Sequence, residues 1–573
     1  MQINFSIRTA LICLILAAAT YIYGLDSRFA PKNGDEYPYA NIVRLTADSG
    51  HWLSLQSDMD GIKNTKPPLL FWQGIATTNW GKDWGLFQLR WPNLIYTGLT
   101  ALLLLLVVGR ISANIKTGLL AAIVWLAFFN TYRYGRPFLA DPAETFWLTL
   151  PFFGLLYFGK RAFESKWIFP AITALALGIA LLYKSFAYIA PVCLSLSVWF
   201  LRWREGYIFQ VVKRDFLKLF LIGLISLGIF SLWFVLDPNP AEIWQEFVVG
   251  ENAGKFKARS SYYIVDMLWG GNSIWALALS TVANAGFLTL VVMSAIKQSW
   301  RSRQSSSIEI ELSWILIACF FVIFCLPSQR SGRYLLPIMP FLAAFVAIYW
   351  DQLGRWTFKV ALLLELIVIS ALAWLGWNLQ GPITGTDLIW TFNWYHWPLI
   401  GISLLTILLG IFNKSATKSS ALIACFLSYM ALTSSLSPLE NPLGRFNEQT
   451  ILSVQGKTIG VPCDFRAKDE EYRLLIPGAA FKGYETSDAK DINKLASNFN
   501  LFAAQGPLGQ APELCENCQI IGQRIEMRAR HNNDEIKAML KGQVKDNLLV
   551  SEYLILSPNT DEDTTSKLKD VCR

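Results

Sequence analysis

Apolar residues occur in long runs, separated by short polar loops, from the N-terminus to about residue 436. Most of these runs contain roughly 15–21 residues, which is the length a helix needs to cross about 30 Å of hydrocarbon. The pattern predicts thirteen membrane spans, to within one: 8–25, 93–109, 117–130, 143–158, 167–183, 185–201, 216–236, 272–296, 312–326, 335–350, 360–379, 397–412 and 421–436.

The first apolar run follows Arg8 and contains three consecutive alanines, Ala17–Ala19. Such a run occurs both in cleaved signal peptides and in uncleaved first spans. We expect an uncleaved span, because the apolar run continues past the alanines to Leu25.

The pattern changes after the last predicted span. Short apolar stretches such as Tyr472–Ile476, Cys518–Ile521 and Tyr553–Leu556 are broken by glycine and proline, which is typical of a small α/β domain. We therefore predict an α-helical polytopic membrane domain over 1–436, with interfacial helices in its first external loop, and a second domain over 437–573.

The overall composition agrees with a membrane location. Of the 573 residues, 53% are hydrophobic and only 16% are charged, and the mean hydropathy is +0.36. Soluble domains carry about 25% charged residues, and disordered chains are poor in apolar residues, so both classes are excluded.

The charged residues predict an orientation. Short loops rich in lysine and arginine alternate with longer and less basic segments at 26–90, 237–271 and 380–396. The basic loops are expected in the cytoplasm together with the N-terminus, which leaves the longer segments and the C-terminal domain outside, in the periplasm. The C-terminal segment has 17 basic and 20 acidic residues, so the net charge of +8 reflects membrane topology and implies no nucleic-acid partner.

The cysteines divide in the same way. Five lie in predicted spans, and the other four, Cys463, Cys515, Cys518 and Cys572, lie in the external segment. Four cysteines in an oxidising compartment suggest up to two disulfides, with three possible connectivities. The alternative for Cys515 and Cys518 is a metal knuckle or a redox pair.

The first external segment contains the most informative polar residues. Asp35 and Glu36 are adjacent carboxylates in front of a helical pattern, so they are either a helix cap or a general base beside the bilayer. Lys66 precedes Pro67 and Pro68 and is either a snorkelling side chain or a cation presented to a lipid phosphate.

Other external turns add cations. Arg133 and Arg136 precede Asp141 in one short turn, although Asp141 followed by proline is also a normal helix start. The remaining external cations are Arg330 and Arg333 in a later turn, and Lys255, Lys257 and Arg259 in the loop 250–259. Several cations on one side of a bilayer suit a phosphorylated lipid.

The order of these residues resembles the membrane glycosyltransferases of the GT-C superfamily. Within it the resemblance is greatest to the 4-amino-4-deoxy-L-arabinose lipid A transferases, which are relatives of the protein O-mannosyltransferases. The motifs that carry the resemblance, over residues 5–350, are Asp35-Glu36 with Tyr39-Ala40, Lys66-Pro67-Pro68 with Trp72, Arg136 with Asp141, Gly178 with Lys184, and Arg333-Tyr334-Leu-Leu-Pro337.

The resemblance implies inverting transfer of a sugar from a polyprenyl-phosphate carrier to an acceptor such as lipid A at the outer face of a bacterial inner membrane. It implies that Asp35 is the base, that Glu36 supports or orients it, and that Asp141 is a second carboxylate facing the cavity. The expected carrier-phosphate contacts are Lys66, Arg136, Lys184, Arg333 and Tyr334, and the expected substrate contacts are Tyr39 and Arg259.

The chain departs from the arabinose transferases at two positions. Thr65 stands where they often have an acid, and Pro38 stands where they commonly have arginine. Thr65 lacks the carboxylate on which a metal site could be built, and the chain has only three histidines. We therefore expect no metal and no other cofactor. Both changes leave the sugar open.

Other functions remain open at this stage. A protein O-glycosyltransferase would share these motifs, whereas a transporter or flippase of lipid-linked sugars would be expected to have more charges within its spans. We expect the protein to act as a monomer.

Overall fold

The computed structural model describes residues 5–59, 61–256, 263–302, 307–463, 467–528 and 531–558. The apolar runs of the sequence form the helices of a bundle, and a helix or a bent pair of helices covers each predicted span. These helices are Ile7–Ile22, Leu86–Ile111, Ile115–Ala127 with Phe129–Gly135, Asp141–Phe158, Ile168–Tyr183, Ile189–Trp203, Phe216–Leu236, Ile274–Ala283 with Thr289–Arg301, Ile308–Cys325, Met339–Ile348, Arg355–Leu379, His396–Phe412 and Thr417–Leu436.

Length and composition identify fewer certain spans than the sequence pattern predicts. In the described part of the chain, six helices are long and apolar enough to cross a membrane, or eight if each of two bent pairs is one span. Four shorter apolar helices accompany them. The multi-pass membrane class is confirmed, and the number thirteen stays a prediction.

Large apolar side chains cover the outside of the bundle as well as its core. Phe216, Leu217, Phe220 and Leu224 are all exposed along one helix, the span that includes them being only 22% buried. A helix that is apolar on both its packed and its outer face is stable in hydrocarbon, where its backbone polar groups are satisfied internally.

The first external segment folds into two short helices against the bundle, Glu36–Asp48 and Leu69–Thr77. They enclose a small core that includes Val43, Phe71 and Phe138, all fully buried. This packing determines where the residues before Glu36 lie, and they include the predicted base.

The C-terminal segment forms a small α/β domain, as predicted. Before this domain, two short strands, β1 (Gly381–Pro382) and β2 (Ile389–Trp390), form a separate hairpin between membrane helices. The main sheet has the order β4-β3-β5-β7-β6. Its strands are β3 (Thr458–Cys463), β4 (Ala480–Glu485), β5 (Leu501–Pro507), β6 (Gln519–Met527) and β7 (Leu549–Leu556).

The sheet is mixed, because β3 is parallel to β4 and β5, whereas β7 is antiparallel to β5 and β6. Short helices accompany the strands: Glu448–Ser453, Asp469–Leu475, Ile492–Asn498, Asn533–Leu540 and Val544–Leu548.

The three cysteines of this domain that the structure describes are oxidised. Cys515 and Cys518 form a disulfide, which is one of the predicted alternatives for this pair. Cys463 is also disulfide-bonded. Cys572 lies outside the described residues.

Candidate active site

A large cavity lies between the ends of the membrane helices and the C-terminal domain. Its volume is about 2050 Å³. The predicted site residues on its wall are Asp35, Tyr39, Lys66, Lys184, Arg333 and Tyr334. Residues up to 299 positions apart in the sequence are thus assembled around one space, as expected of a ligand-binding cavity.

Asp35 does not act as a helix cap. It occupies the position before the helix Glu36–Asp48, but its side chain makes no capping hydrogen bond. Instead its Oδ2 accepts a hydrogen bond from Nη1 of Arg333 at 2.6 Å, and 46% of the side chain remains exposed. The carboxylate is therefore held at one oxygen and accessible from the cavity.

Behind this wall lies a buried group of charges. Arg333 contacts Asp141 with two nitrogens, at 2.9 and 2.7 Å. Lys184 contacts Asp141 at 3.0 Å and Glu144 at 2.6 Å. The resemblance implied that Asp141 faces the cavity directly. Asp141 is instead only 1% exposed, and it reaches the cavity through Arg333 and Lys184.

Lys66 belongs to a separate part of the wall. Its Nζ lies 2.7 Å from Oε1 of Glu251 and 3.1 Å from the carbonyl oxygen of Thr65. The lysine is 15% exposed and the glutamate 26%. An anionic ligand that binds Lys66 must therefore compete with Glu251.

Two tyrosines complete the predicted wall. Tyr39 packs edge-on against Phe71, with ring centroids 5.9 Å apart, and burial raises the pKa of its hydroxyl. Tyr334 stacks on Phe324 at 5.6 Å and lies below the ammonium group of Lys184, which is 5.9 Å from its ring. Both remain neutral donors at physiological pH.

Besides Asp141, two predicted site residues lie away from the cavity wall. Glu36 is 3% exposed and binds Arg90 through both oxygens at 2.6 Å, and it also accepts the backbone N–H of Phe138 at 2.7 Å. Arg136 is 1% exposed and donates to the carbonyl oxygen of Tyr23 at 2.6 Å. Their contacts with the protein support the helix packing, and the orienting role expected of Glu36 stays a prediction.

The predicted contact Arg259 lies outside the described residues. Three further residues enter the site description: Glu144, which pairs with Lys184; Glu251, which pairs with Lys66; and Arg133, which lies on the cavity wall. Glu144 follows Asp141 by one helical turn, so the motif itself was a usable indication. The pairing of Glu251 has no local sequence pattern.

Metal binding has no candidate in the described parts of the chain. Among those residues no group of three or more His, Cys, Asp and Glu side chains is arranged to hold an ion. The expectation of a metal-free site stays a prediction.

The fold has a counterpart among solved protein structures. The chain is similar to the crystal structure of ArnT from Cupriavidus metallidurans bound to undecaprenyl phosphate, with a TM-score of 0.57 and 16% identity over 96% of this chain and 98% of that one. Its apo state gives a TM-score of 0.56. At this identity the similarity establishes the fold and confirms the fold class predicted from sequence.

Sequence comparisons confirm the resemblance more specifically. The family model for dolichyl-phosphate-mannose-protein mannosyltransferase matches residues 6–245. An undecaprenyl phosphate-alpha-4-amino-4-deoxy-L-arabinose arabinosyl transferase from Proteus mirabilis is 25% identical over 358 residues. One from Pseudomonas aeruginosa is 26% identical over 371 residues. The matched part spans about 60% of this chain and about 60% of the Proteus relative.

Proposed function

We propose that the chain is an inverting glycosyltransferase that moves a sugar from a polyprenyl-phosphate carrier to lipid A or another envelope acceptor. The observation that carries this proposal is the shared cavity wall, where a partly exposed carboxylate, Asp35, and the cations Lys66 and Arg333 line the same space. The names of the relatives, which describe undecaprenyl-phosphate-dependent arabinosyl transfer, support the donor class.

The reaction needs a base on one side of the sugar and cations on the other. Asp35 takes the proton of the acceptor hydroxyl while the oxygen of that hydroxyl attacks the anomeric carbon. The bond from that carbon to the phosphate oxygen breaks, and the carrier phosphate leaves with the electron pair. Lys66 stabilises the growing negative charge on the carrier phosphate, in a cavity where solvent screening is weak. Arg333, which binds Asp35, and Lys184 add positive charge to the wall of the same cavity.

The proposed reaction takes place on one side of the membrane. We propose that the cavity opens to the periplasmic face of a bacterial inner membrane, with the N-terminus in the cytoplasm. The basic loops of the sequence support this orientation. We further propose that the chain acts as a monomer, with no metal or cofactor besides the lipid-linked donor.

A protein acceptor is the second candidate, because the matching family model describes protein mannosyltransferases. The decisive experiment uses the purified full chain with polyprenyl-phosphate sugars of several kinds and measures sugar release. Mass spectra of lipid A and of envelope proteins from a deletion strain then identify the acceptor. Failure to transfer from any carrier, with lipid-linked sugar transport retained, would reject the enzyme in favour of a flippase.

A further inference from the structure

Two consecutive glutamates of the C-terminal domain are buried against the first external segment. Glu470 and Glu471 lie in the first turn of the helix Asp469–Leu475, and each side chain is only 1% exposed. A buried carboxylate is unfavourable unless it is paired and hydrogen-bonded. The partners of these two residues therefore identify what the helix holds in place.

Glu470 binds one face of the helix Glu36–Asp48. Arg44 contacts its Oε1 through Nη2 at 2.5 Å and both of its oxygens through Nε at 3.2 Å. Asn41 donates to the same oxygen at 2.8 Å. Asn41 and Arg44 are three residues apart and so share a helix face. Glu470 thus binds the helix that begins directly after Asp35.

Glu471 binds the chain on the other side of Asp35. Arg28 lies 2.9 Å from its Oε1, and Lys32 lies 3.6 Å from its Oε2. Arg28 is itself anchored, because it donates to the carbonyl oxygens of Leu439 and Gly444 at 2.6 and 3.1 Å. The two glutamates therefore hold the chain both before and after Asp35.

Apolar contacts and a further ion pair hold the residues that directly follow Asp35. Tyr37 packs with Leu86 and Ala467 in a small core between the C-terminal domain and the membrane domain. On the bundle side, Glu36 is held by Arg90 at 2.6 Å. Asp35, by contrast, has a half-exposed side chain. Arg333 holds one oxygen of its carboxylate, and the neighbouring residues determine where the backbone that carries it lies.

We propose that Glu470 and Glu471 are positioning residues, through which the C-terminal domain fixes the approach of Asp35 to the acceptor hydroxyl. This proposal rests on the proposed function. A reacting group displaced by about 1 Å loses on the order of 100-fold in rate, so small shifts of this segment have large effects. The domain thereby takes part in catalysis without supplying a reacting group.

The test compares Glu470→Gln and Glu471→Gln with wild type in detergent or nanodiscs. Glu513→Gln is the control, because Glu513 is an exposed carboxylate of the same domain. For each glutamate variant we expect kcat to fall on the order of 10-fold to 100-fold, with KM for the carrier lipid unchanged, because the contacts with Lys66 are elsewhere. Rates are expressed per folded protein, so that lost stability alone does not lower them.

A double-mutant cycle separates positioning from a general effect on the fold. If Glu470 acts through Asp35, then Glu470→Gln causes little further loss when added to Asp35→Asn. If Glu470→Gln does not fold, Arg44→Lys is used instead, since it keeps the charge and loses the forked geometry. The same loss in kcat is expected from it.

Two results overturn the proposal: wild-type kcat in both glutamate variants, or equal losses with and without Asp35→Asn. Either result with an active wild type leaves the proposed function intact. A wild-type protein that transfers no sugar rejects the proposed function itself, so the two failures are distinguishable.

Discussion

Arg333 donates a hydrogen bond from Nη1 to Oδ2 of Asp35 at 2.6 Å, although the two residues are 298 positions apart in the sequence. The same guanidinium binds both oxygens of Asp141. A planar fork of donors fits this arrangement, because it directs separate N–H groups to two carboxylates at once. Arg333 therefore couples the proposed base to the buried charges behind the cavity wall.

Replacement of Arg333 by lysine is expected to lower kcat/KM on the order of 100-fold, although the charge is retained. A single ammonium group cannot bind Asp141 through two nitrogens and also reach Asp35. Transfer rates of purified Arg333→Lys and wild type measure the effect. Arg355→Lys, at an exposed helix start, serves as the control and is expected to keep wild-type rates. Wild-type activity of Arg333→Lys would contradict a role for the fork.

Asp35→Asn is expected to reduce kcat by roughly 10²–10⁴-fold, the usual contribution of a positioned base. Binding of the carrier lipid is expected to stay unchanged, because the substitution preserves the shape of the side chain. Single-turnover transfer and carrier titration measure the two quantities separately. Asp26→Asn changes an exposed carboxylate of the same external segment and provides the matched control. Full activity of Asp35→Asn would mean that another group takes the proton.

Much of this site was predictable because its residues lie in external turns between apolar runs. The chain pattern alone assigned Asp35, Lys66 and Arg333 to one side of the membrane, and the structure adds that they line one cavity. The pattern did not distinguish between the two adjacent acids. Consecutive helical residues point about 100° apart, so one carboxylate reaches the cavity while Glu36 reaches Arg90.

The arginine pair shows the same limit. The helix Phe129–Gly135 ends between Arg133 and Arg136, and the second side chain is buried in the bundle. Arg133 remains on the cavity wall. Contacts between distant segments, such as Lys66 with Glu251, were not predictable either, because they depend on helix packing rather than on local spacing.

Lys66→Ala is expected to weaken carrier binding by about tenfold or more, because charge-assisted contacts to phosphate are among the stronger polar interactions. Lys63→Ala is the control: Lys63 is likewise paired with a glutamate, Glu242, at 2.7 Å, but it is not among the residues that line the cavity. Titration with polyprenyl phosphate at two salt concentrations measures both variants. If the two lysine variants lose affinity equally, the turn contributes only general charge and Lys66 is not the phosphate contact.

The ion pairs between the C-terminal domain and the first external segment are expected to make stability depend on pH. Burial raises the pKa of Glu470, but its contacts with Arg44 outweigh this effect and hold the pKa below the ordinary value of 4.5. Burial also raises the pKa of Glu471, but the charges of Lys32 and Arg28 outweigh this effect, so its pKa is lowered as well. Both carboxylates thus bind a proton less tightly in the folded protein than in the unfolded chain.

For groups with a lowered pKa, the added stability is fully present above the unfolded value and is lost as the pH falls through the folded value. Glu470→Gln and Glu471→Gln mimic the protonated side chains, so each is expected to lower the melting temperature at pH 7. Below the unfolded value of 4.5 the wild type is expected to lose its advantage progressively, down to the folded pKa of Glu471 at about 2, so the melting curves should approach each other by pH 3. Thermal unfolding in detergent at pH 7, 5 and 3 measures the difference, with Glu513→Gln following the wild type throughout. A difference that stays constant down to pH 3 would mean that these glutamates are held by contacts other than their charge pairs.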